Sequence, residues 1–155
     1  MNVGIIDYGS GNIRSVSKSF ERAAFELESK VKINVIRSAQ ELKNMDRIVL
    51  PGVGAFADCI KGIKNINSLY KTLNDMVLGK SVPFLGICVG MQLLANYSNE
   101  HGRHNGFGWI EGEVVPIIRK DNDIKIPHMG WNSIEILKKH QIFEKIKNGE
   151  DFYFV

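Results

Sequence analysis

Cys88 lies between two glycines in a stretch whose residue types and spacing suit a nucleophile. An apolar run ends at Ile87 and a helix-like stretch, residues 91–96, follows, which is the strand, turn and helix order of a nucleophile elbow. Gly86 and Gly90 let the chain turn tightly and leave room beside the sulfur. The amides and the dipole of the following helix favour the thiolate, which is the reactive form of cysteine. The pattern therefore predicts a cysteine nucleophile in preference to a cysteine buried in a sheet.

The glycine-containing loop at residues 51–56 follows another apolar strand pattern. It lacks the Lys-Ser/Thr pair of a phosphate-binding loop, and taken alone it would be a simple turn. Beside a nucleophile elbow, such a loop can aim backbone N–H groups at a developing oxyanion. We therefore predict an oxyanion hole whose first part is the N–H of Val89. Its second part is the loop made of Gly52, Val53 and Gly54.

No cofactor and no metal site is predicted from the remaining motifs. Residues 9–11 resemble the start of a dinucleotide fingerprint, but Arg14 stands where its third glycine would fall, so a tight turn into a helix is the better interpretation. The two cysteines, Cys59 and Cys88, are too few for a disulfide framework and lack metal-ligand spacing. Cys59 lies in a helix-like stretch and is expected to pack in the core.

A cysteine nucleophile usually works with a histidine base that a third group holds in place. His101 and His104 lie in a polar loop and His140 follows two lysines, so these three are interpreted as surface residues. His128 alone has a distinctive setting, residues 127–132, and a structural or contact role fits it better than that of a base. The pattern predicts a nucleophile without identifying its base.

The composition is that of an ordinary globular protein, with 155 residues, 44% of them hydrophobic and 24% charged. This length predicts a single domain, residues 1–155. The net charge of +3 is small and basic residues alternate with acidic ones, so nucleic-acid binding is not expected. Neither a signal peptide nor a membrane span is recognisable, and two cysteines suit a reducing compartment. We therefore expect a cytoplasmic protein without membrane binding.

Alternating strand and helix patterns predict the fold class. Strand patterns occur at residues 3–7, 33–36, 46–50 and 82–87, and helical patterns occur at residues 12–24, 38–43 and 57–78. Ser38 and Glu41 predict a capping box for the second helix. The alternation predicts a three-layer, doubly wound α/β fold with a mostly parallel sheet. Further strand patterns at residues 111–118, 124–126, 132–136 and 151–155 predict that the sheet becomes mixed or adds an antiparallel lobe.

Sites in doubly wound sheets form where strands end and helices begin. The loop at residues 8–12, the loop at residues 51–56 and the Cys88 elbow each follow a predicted strand. We therefore expect all three to lie on one edge of the sheet.

Five stretches in chain order resemble the class I glutamine amidotransferases. They are GIIDYGSGN at residues 4–12, VLPGVGAF at residues 49–56, FLGICVGMQ at residues 84–92, PHMGWN at residues 127–132 and FYFV at residues 152–155. Within that family the resemblance is to the glutaminase subunits of imidazole glycerol phosphate synthase, an enzyme of histidine biosynthesis. It implies the three-layer, mostly parallel α/β fold of class I glutamine amidotransferases.

The resemblance also implies roles for individual residues. Cys88 would attack the side-chain amide carbon of glutamine, release ammonia and leave a glutamyl thioester that water hydrolyses. Val89 and the Gly52–Gly54 loop would stabilise the oxyanion. Gln92 would help bind the glutamine.

A partner subunit is implied as well. In the family, ammonia passes to a barrel-shaped cyclase subunit of a heterodimer, which makes imidazole glycerol phosphate and an aminoimidazole carboxamide nucleotide. Five residues of this chain resemble the partner-facing surface of the family. They are Ser10, Asn12, His128, Met129 and Trp131. An exposed tryptophan suits such an interface.

The family's catalytic histidine and glutamate belong to a His-Pro-Glu segment that follows the FYFV strand, and this sequence contains no such segment. We therefore expect a domain that is incomplete on its C-terminal side. A sheet edge and apolar surface would then be uncovered. We also expect little or no glutaminase activity from residues 1–155 alone.

Three alternatives stay open. The chain could be an inactive module that still docks on the cyclase. It could serve an enzyme that transfers ammonia to a surface-sugar precursor. It could also be a cysteine hydrolase of the dienelactone-hydrolase kind, with Asp121, Asp123 and His128 as nominal partners of Cys88. These three residues are crowded in the sequence, and a hydrolase leaves the motifs at residues 51–56 and 128–132 unexplained.

Overall fold

The computed structural model describes residues 1–118 and 126–154. The chain divides into two compact units, Met1–Val115 and Pro116–Val155, and each is described by itself. The single domain expected for residues 1–155 stays a prediction.

The first unit is built on a four-stranded parallel sheet with the strand order β2-β1-β3-β4. Its strands are β1 (Asn2–Ile6), β2 (Lys32–Ile36), β3 (Arg47–Gly52) and β4 (Phe84–Cys88). All four lie within two residues of the predicted strands. Their apolar, β-branched composition suits strands covered on both faces.

Helices follow the strands in chain order. They are α1 (Ile13–Glu26), α2 (Ala39–Leu42), α3 (Phe56–Asn65), α4 (Leu69–Asn74) with a π-helical turn (Asp75–Gly79), and α5 (Val89–Gln92). The predicted capping box is confirmed, because Ser38 and Glu41 satisfy each other's backbone N–H groups at the start of α2. Hydrogen bonds from the backbone N–H groups of Arg37 and Ser38 hold the pKa of the Glu41 carboxyl below its usual value.

The sheet is covered on both faces. Val3, Ile5 and Val49 pack with apolar residues of α1 on one face. Side chains alternate along a strand, so the neighbouring residues Ile48 and Leu50 point to the other face, into the larger core that also contains the remaining helices. The predicted three-layer α/β fold with a mostly parallel sheet is therefore confirmed.

The predicted long helix at residues 57–78 is wrong in one respect. Helix α3 ends at Asn65, and α4 begins only at Leu69. Ser68 between them takes a left-handed backbone conformation with a φ of 61°. Asn67 and Ser68 are of residue types that favour turns and helix ends over helix interiors, which suits a break at this point.

The helix predicted at residues 91–96 is present but wrong in its bounds, because it begins two residues earlier and ends four residues earlier than expected. Helix α5 ends at Gln92, and a second, mixed sheet follows with the order β6-β5-β7. Its strands are β5 (Ala95–Ser98), β6 (His104–Asn105) and β7 (Ile110–Val114), so the strand predicted at residues 111–118 is shorter and begins earlier. Backbone pairing with distant residues, such as Phe107 N–H to Leu93 C=O at 2.7 Å, replaces local helical bonds here.

The second unit contains one antiparallel strand pair, β8 (Gly130–Ser133) with β9 (Asp151–Phe154), and a 3-10 turn (Gln141–Phe143). The strand predicted at residues 132–136 therefore begins two residues earlier than expected. The strand predicted at residues 124–126 falls mostly outside the described residues. The antiparallel addition that the sequence suggested is present here.

None of the helices within residues 1–118 and 126–154 is both long enough and apolar enough to cross a membrane.

Candidate active site

Cys88 is the last residue of β4, and its backbone is in an uncommon conformation. Its φ is 55° and its ψ is −120°, and α5 begins at the next residue, Val89. A residue other than glycine with positive φ is strained, and such strain is concentrated at functional sites. The side chain of Cys88 is exposed, in contrast to the fully buried Cys59. The structure thus places the predicted nucleophile on a sharp strand-to-helix turn that is open to solvent.

The two glycines around Cys88 are required by close backbone approach. A Cβ at Gly86 would lie 2.6 Å from the carbonyl oxygen of Gly90 and 2.6 Å from the Cα of Met91. A Cβ at Gly90 would collide with the carbonyl oxygen of Leu50 in the neighbouring strand β3. Only glycine therefore lets α5 fold back against the ends of β3 and β4.

The register of the sheet places the predicted oxyanion loop beside the elbow. Gly52 pairs with Cys88 across β3 and β4. A Cβ at Gly52 would lie 2.6 Å from the backbone nitrogen of Gly90, so these two backbones are in direct contact. Val53 is exposed, and Gly54 has a φ of 86° that suits glycine.

Side chains from two other elements hold the carbonyl groups of this loop. The Tyr8 hydroxyl, directly after β1, donates to the Pro51 carbonyl at 2.9 Å. The Ser10 hydroxyl donates to the Val53 carbonyl at 2.6 Å, and the Cys59 thiol of α3 donates to the same oxygen at 3.4 Å. Loop 8–12, loop 51–56 and the elbow therefore meet at one edge of the sheet, as predicted.

Burial of the Tyr8 ring raises the pKa of its hydroxyl, and the neighbouring Cys59 thiol raises it further. The neutral hydroxyl is therefore the stable form, and it remains a hydrogen-bond donor at neutral and moderately alkaline pH.

Two residues expected to face a partner have structural contacts inside the first unit. Ser10 binds Val53 through both backbone groups, because the Val53 N–H also donates to the Ser10 hydroxyl at 3.4 Å. The Asn12 side chain caps α1 by accepting from the Ser15 N–H at 3.2 Å. These contacts do not test their predicted role at an interface.

The remaining predicted site residues of the first unit lie on the elbow helix. Val89 is its first residue and is buried, and Gln92 is its last residue and is half-buried. Cys88 precedes the helix with a non-helical backbone, so the spacing of four residues does not by itself bring the Gln92 side chain to the sulfur, and the predicted role of Gln92 stays a prediction.

Sequence reasoning missed the contact of Glu100 with the start of α3. Its carboxylate accepts a hydrogen bond from the Phe56 N–H at 2.8 Å, directly after the oxyanion loop. The α3 N-cap residue, Ala55, supplies no side-chain cap of its own. Glu100 lies 44 residues from Phe56, so no local spacing signals this cap.

The other predicted residues, His128, Met129 and Trp131, belong to the second unit. The His128 ring stacks on Phe154 with ring centroids 4.9 Å apart, and Trp131 meets Tyr153 edge to face at 5.5 Å. Met129 is 61% exposed and Trp131 is 73% exposed. The predicted roles of His128, Met129 and Trp131 stay predictions.

The other histidines and the acidic residues show no arrangement for metal binding within the described part of the chain, where no cluster of three or more His, Cys, Asp and Glu occurs. His140 accepts from the Ile142 N–H at the start of the 3-10 turn, and His104 contacts the His101 carbonyl in an exposed loop. Asp121 and Asp123, the nominal triad partners of the hydrolase alternative, lie outside the described residues.

Comparison with known proteins agrees with this geometry. Residues 5–154 match the family described as glutamine amidotransferase class-I. The chain is 49% identical to the imidazole glycerol phosphate synthase subunit HisH of Rhodopseudomonas palustris over 149 residues, which cover 96% of this chain and 69% of that protein. The chain is also 49% identical to the imidazole glycerol phosphate synthase subunit HisH of Brucella melitensis, in an alignment that covers all of this chain and 73% of that protein. The Bradyrhizobium diazoefficiens subunit HisH is 45% identical with the same coverage. This chain therefore belongs to the class-I glutamine amidotransferase family.

Proposed function

We propose that this chain is the glutaminase subunit of an imidazole glycerol phosphate synthase in histidine biosynthesis. Relatives named imidazole glycerol phosphate synthase subunit HisH are 45–49% identical to it over 96% or more of its length. The observation that carries the proposal is the Cys88 elbow, whose strained cysteine is exposed at the end of β4 and paired in register with Gly52.

Cys88 is the nucleophile in this proposal. Its thiolate sulfur forms a bond to the side-chain amide carbon of glutamine, and the carbonyl electron pair moves onto oxygen. Collapse of this tetrahedral intermediate breaks the carbon–nitrogen bond, and the nitrogen leaves as ammonia after taking up a proton. Water then adds to the glutamyl thioester and releases glutamate and the cysteine.

The oxyanion of both tetrahedral intermediates needs N–H donors about 3 Å away. We assign the Val89 N–H and the loop of Gly52, Val53 and Gly54 to this role. The sheet register supports the assignment, since Gly52 lies opposite Cys88. The Val53 N–H is held by the Ser10 hydroxyl, so it has to leave that hydroxyl before it can reach an oxyanion.

Gln92 is assigned to substrate binding. It is the last residue of the four-residue helix that begins directly after Cys88, and its primary amide can both donate to and accept from a glutamine.

The partner in this proposal is a cyclase subunit that receives the ammonia. The relatives are named as subunits of a synthase, which supports an assembly. Met129 and Trp131 are large apolar side chains exposed in the second unit, and such residues are enriched in protein interfaces. Ser10 and Asn12 of the first unit and His128 of the second unit are assigned to partner contacts as well.

The decisive experiment uses the protein as its gene encodes it, together with the cyclase. Cys88→Ala should lower glutamine hydrolysis by roughly 10⁴-fold or more, because the covalent route is lost. A glutamine-mimicking electrophile should label Cys88, and excess glutamine should protect it. Cys59→Ser is the matched control and should keep the labelling. Glutamine hydrolysis that survives Cys88→Ala would refute the proposal.

Residues 1–155 expressed alone are proposed to hydrolyse glutamine very slowly, because the sequence contains no His-Pro-Glu segment to supply the family's base. The measurement is ammonia release by these residues compared with the protein that the gene encodes. Equal rates would assign the base to a residue within 1–155, with His128 tested first.

A further inference from the structure

The oxyanion loop is held at two carbonyl groups by three side chains. Tyr8 binds the Pro51 carbonyl, while Ser10 and Cys59 both bind the Val53 carbonyl. Ser10 Oγ and Cys59 Sγ also contact each other at 3.5 Å. The loop is thus fixed from the side of β1 and from the side of α3.

A fixed carbonyl also fixes an amide, because the peptide unit is planar and trans. The N–H of the following residue points in the opposite direction to the C=O. Holding the Val53 carbonyl therefore sets the direction of the Gly54 N–H, and holding the Pro51 carbonyl sets that of Gly52. Donors to an oxyanion act through their direction and distance, so these contacts bear on the hole itself.

Cys59 is not explained by packing alone. It is fully buried in the core, where it packs as a small apolar side chain. Its sulfur also lies within hydrogen-bond distance of the Val53 carbonyl oxygen and of the Ser10 hydroxyl. A thiol is a weak donor, which suits a support shared with a stronger hydroxyl donor.

We propose that Cys59 is a positioning residue for the oxyanion loop, acting through the Val53 carbonyl together with Ser10. The inference rests on the proposed glutaminase function of the same site. Cys59 touches neither substrate nor reacting atoms in this role. It keeps the Val53–Gly54 peptide in the orientation that the intermediate needs.

The test compares variants of Cys59 in the protein as its gene encodes it, assembled with the cyclase. Cys59→Ala removes the donor and should lower the kcat of glutamine hydrolysis about tenfold while KM stays within about twofold, since one support of an oxyanion donor is lost. Cys59→Ser keeps a donor and should bring kcat back to within about threefold of the wild type. Cys59→Val fills the space without donating, so it should behave like Cys59→Ala.

A second readout isolates the hole from substrate binding. An aldehyde analogue of glutamine adds to the Cys88 sulfur and forms a thiohemiacetal whose oxygen occupies the oxyanion position. Its affinity should fall by about the same factor as kcat/KM in Cys59→Ala and Cys59→Val, as expected for a transition-state contact.

The control for packing is Ile63→Val, which removes a carbon from a fully buried residue one turn further along α3. It should leave kcat unchanged. The inference would be overturned if kcat were unchanged in folded Cys59→Ala and Cys59→Val. It would also be overturned if Cys59→Ser and Ile63→Val lost as much kcat as Cys59→Ala. Either result would leave the glutaminase function intact. A wild type whose hydrolysis does not depend on Cys88 would instead refute the function itself.

Discussion

The Cys88 elbow and the β8–β9 ribbon both carry residues predicted to be functional, yet they are held in different ways. The elbow lies against β3 with backbone atoms so close that Gly52, Gly86 and Gly90 admit no Cβ. The ribbon consists of two strands joined by four residue pairs, and its large side chains are mostly exposed.

The ribbon is organised by cross-strand aromatic contacts. Trp131 and Tyr153 are directly paired and share one face, whereas Phe154 and the His128 ring stacked on it lie on the other. Two strands alone are marginally stable in water, and each aromatic pair adds about 0.5–1.5 kcal/mol. The proposed nucleophile therefore lies on closely packed backbone, whereas the recognition residues assigned to the ribbon include largely exposed side chains.

The largest expected effect concerns the closely packed Cys88 elbow. Gly90→Ala forces a methyl group against the Leu50 carbonyl, and neither backbone can move without displacing the sheet. The free energy of unfolding should fall by about 3 kcal/mol or more, and activity should be lost even where the protein folds. Chemical denaturation measures the first effect.

Gly79→Ala is the matched control, because a Cβ at Gly79 meets nothing within 4 Å. Its free energy of unfolding should stay within about 0.5 kcal/mol of the wild type. Similar losses in both variants would contradict the close backbone approach at the elbow.

An intermediate effect tests the ribbon. Trp131→Ala should weaken binding to the cyclase by about 10–100-fold, because an exposed aromatic anchor is removed. The free energy of unfolding should fall by only about 1 kcal/mol or less, since the loss is one edge-to-face contact with Tyr153. Titration calorimetry and denaturation separate the two quantities.

Leu137→Ala, at a residue 86% exposed in the same unit, is the control and should leave the affinity unchanged. A Trp131→Ala variant that binds the cyclase normally would remove this residue from the proposed interface.

The smallest effect concerns Tyr8 and alkaline pH. The unfolded chain loses the Tyr8 proton near pH 10, whereas burial keeps it bound in the folded protein to higher pH. The unfolded state then binds fewer protons, so the free energy of unfolding falls as pH rises above about 10, by at most about 1.4 kcal/mol per pH unit. Tyr8→Phe should remove this part of the slope.

Tyr153→Phe removes an exposed hydroxyl from the ribbon and measures the effect of losing a tyrosine hydroxyl in general. Equal changes of the alkaline slope in the two variants would contradict the special setting of Tyr8.

Much of the fold was predictable because its signals are local. Strand patterns located β1 to β4 to within two residues, and Ser38 with Glu41 located the start of α2. The helix predicted at residues 91–96 failed because the backbone of Leu93 and Ala95 bonds to residues 107 and 108. Local periodicity carries no information about such partners.

The candidate site was likewise predictable where its signals are local and not where distant residues meet. The glycines around Cys88 and in the loop at residues 52–54 marked both halves of the site in the sequence. The contact of Ser10 with Val53 could not be predicted, because 43 residues separate the two, and the contact of Cys59 with the Val53 carbonyl depends on how α3 packs beside the loop.

The sequence by itself determined the alternation of strands and helices up to Cys88, the turn at that residue and the membership of the family, since these depend on residue types at short spacing. Only the tertiary structure decided that Gly52 lies opposite Cys88, that the Val53 carbonyl is held by a serine and a second cysteine, and that a strand follows the elbow helix. The physical reason is that each of these depends on sheet register and on backbone groups brought together from distant parts of the chain. For Cys88, the local pattern named the nucleophile, and the packing of β3 against β4 supplied its surroundings.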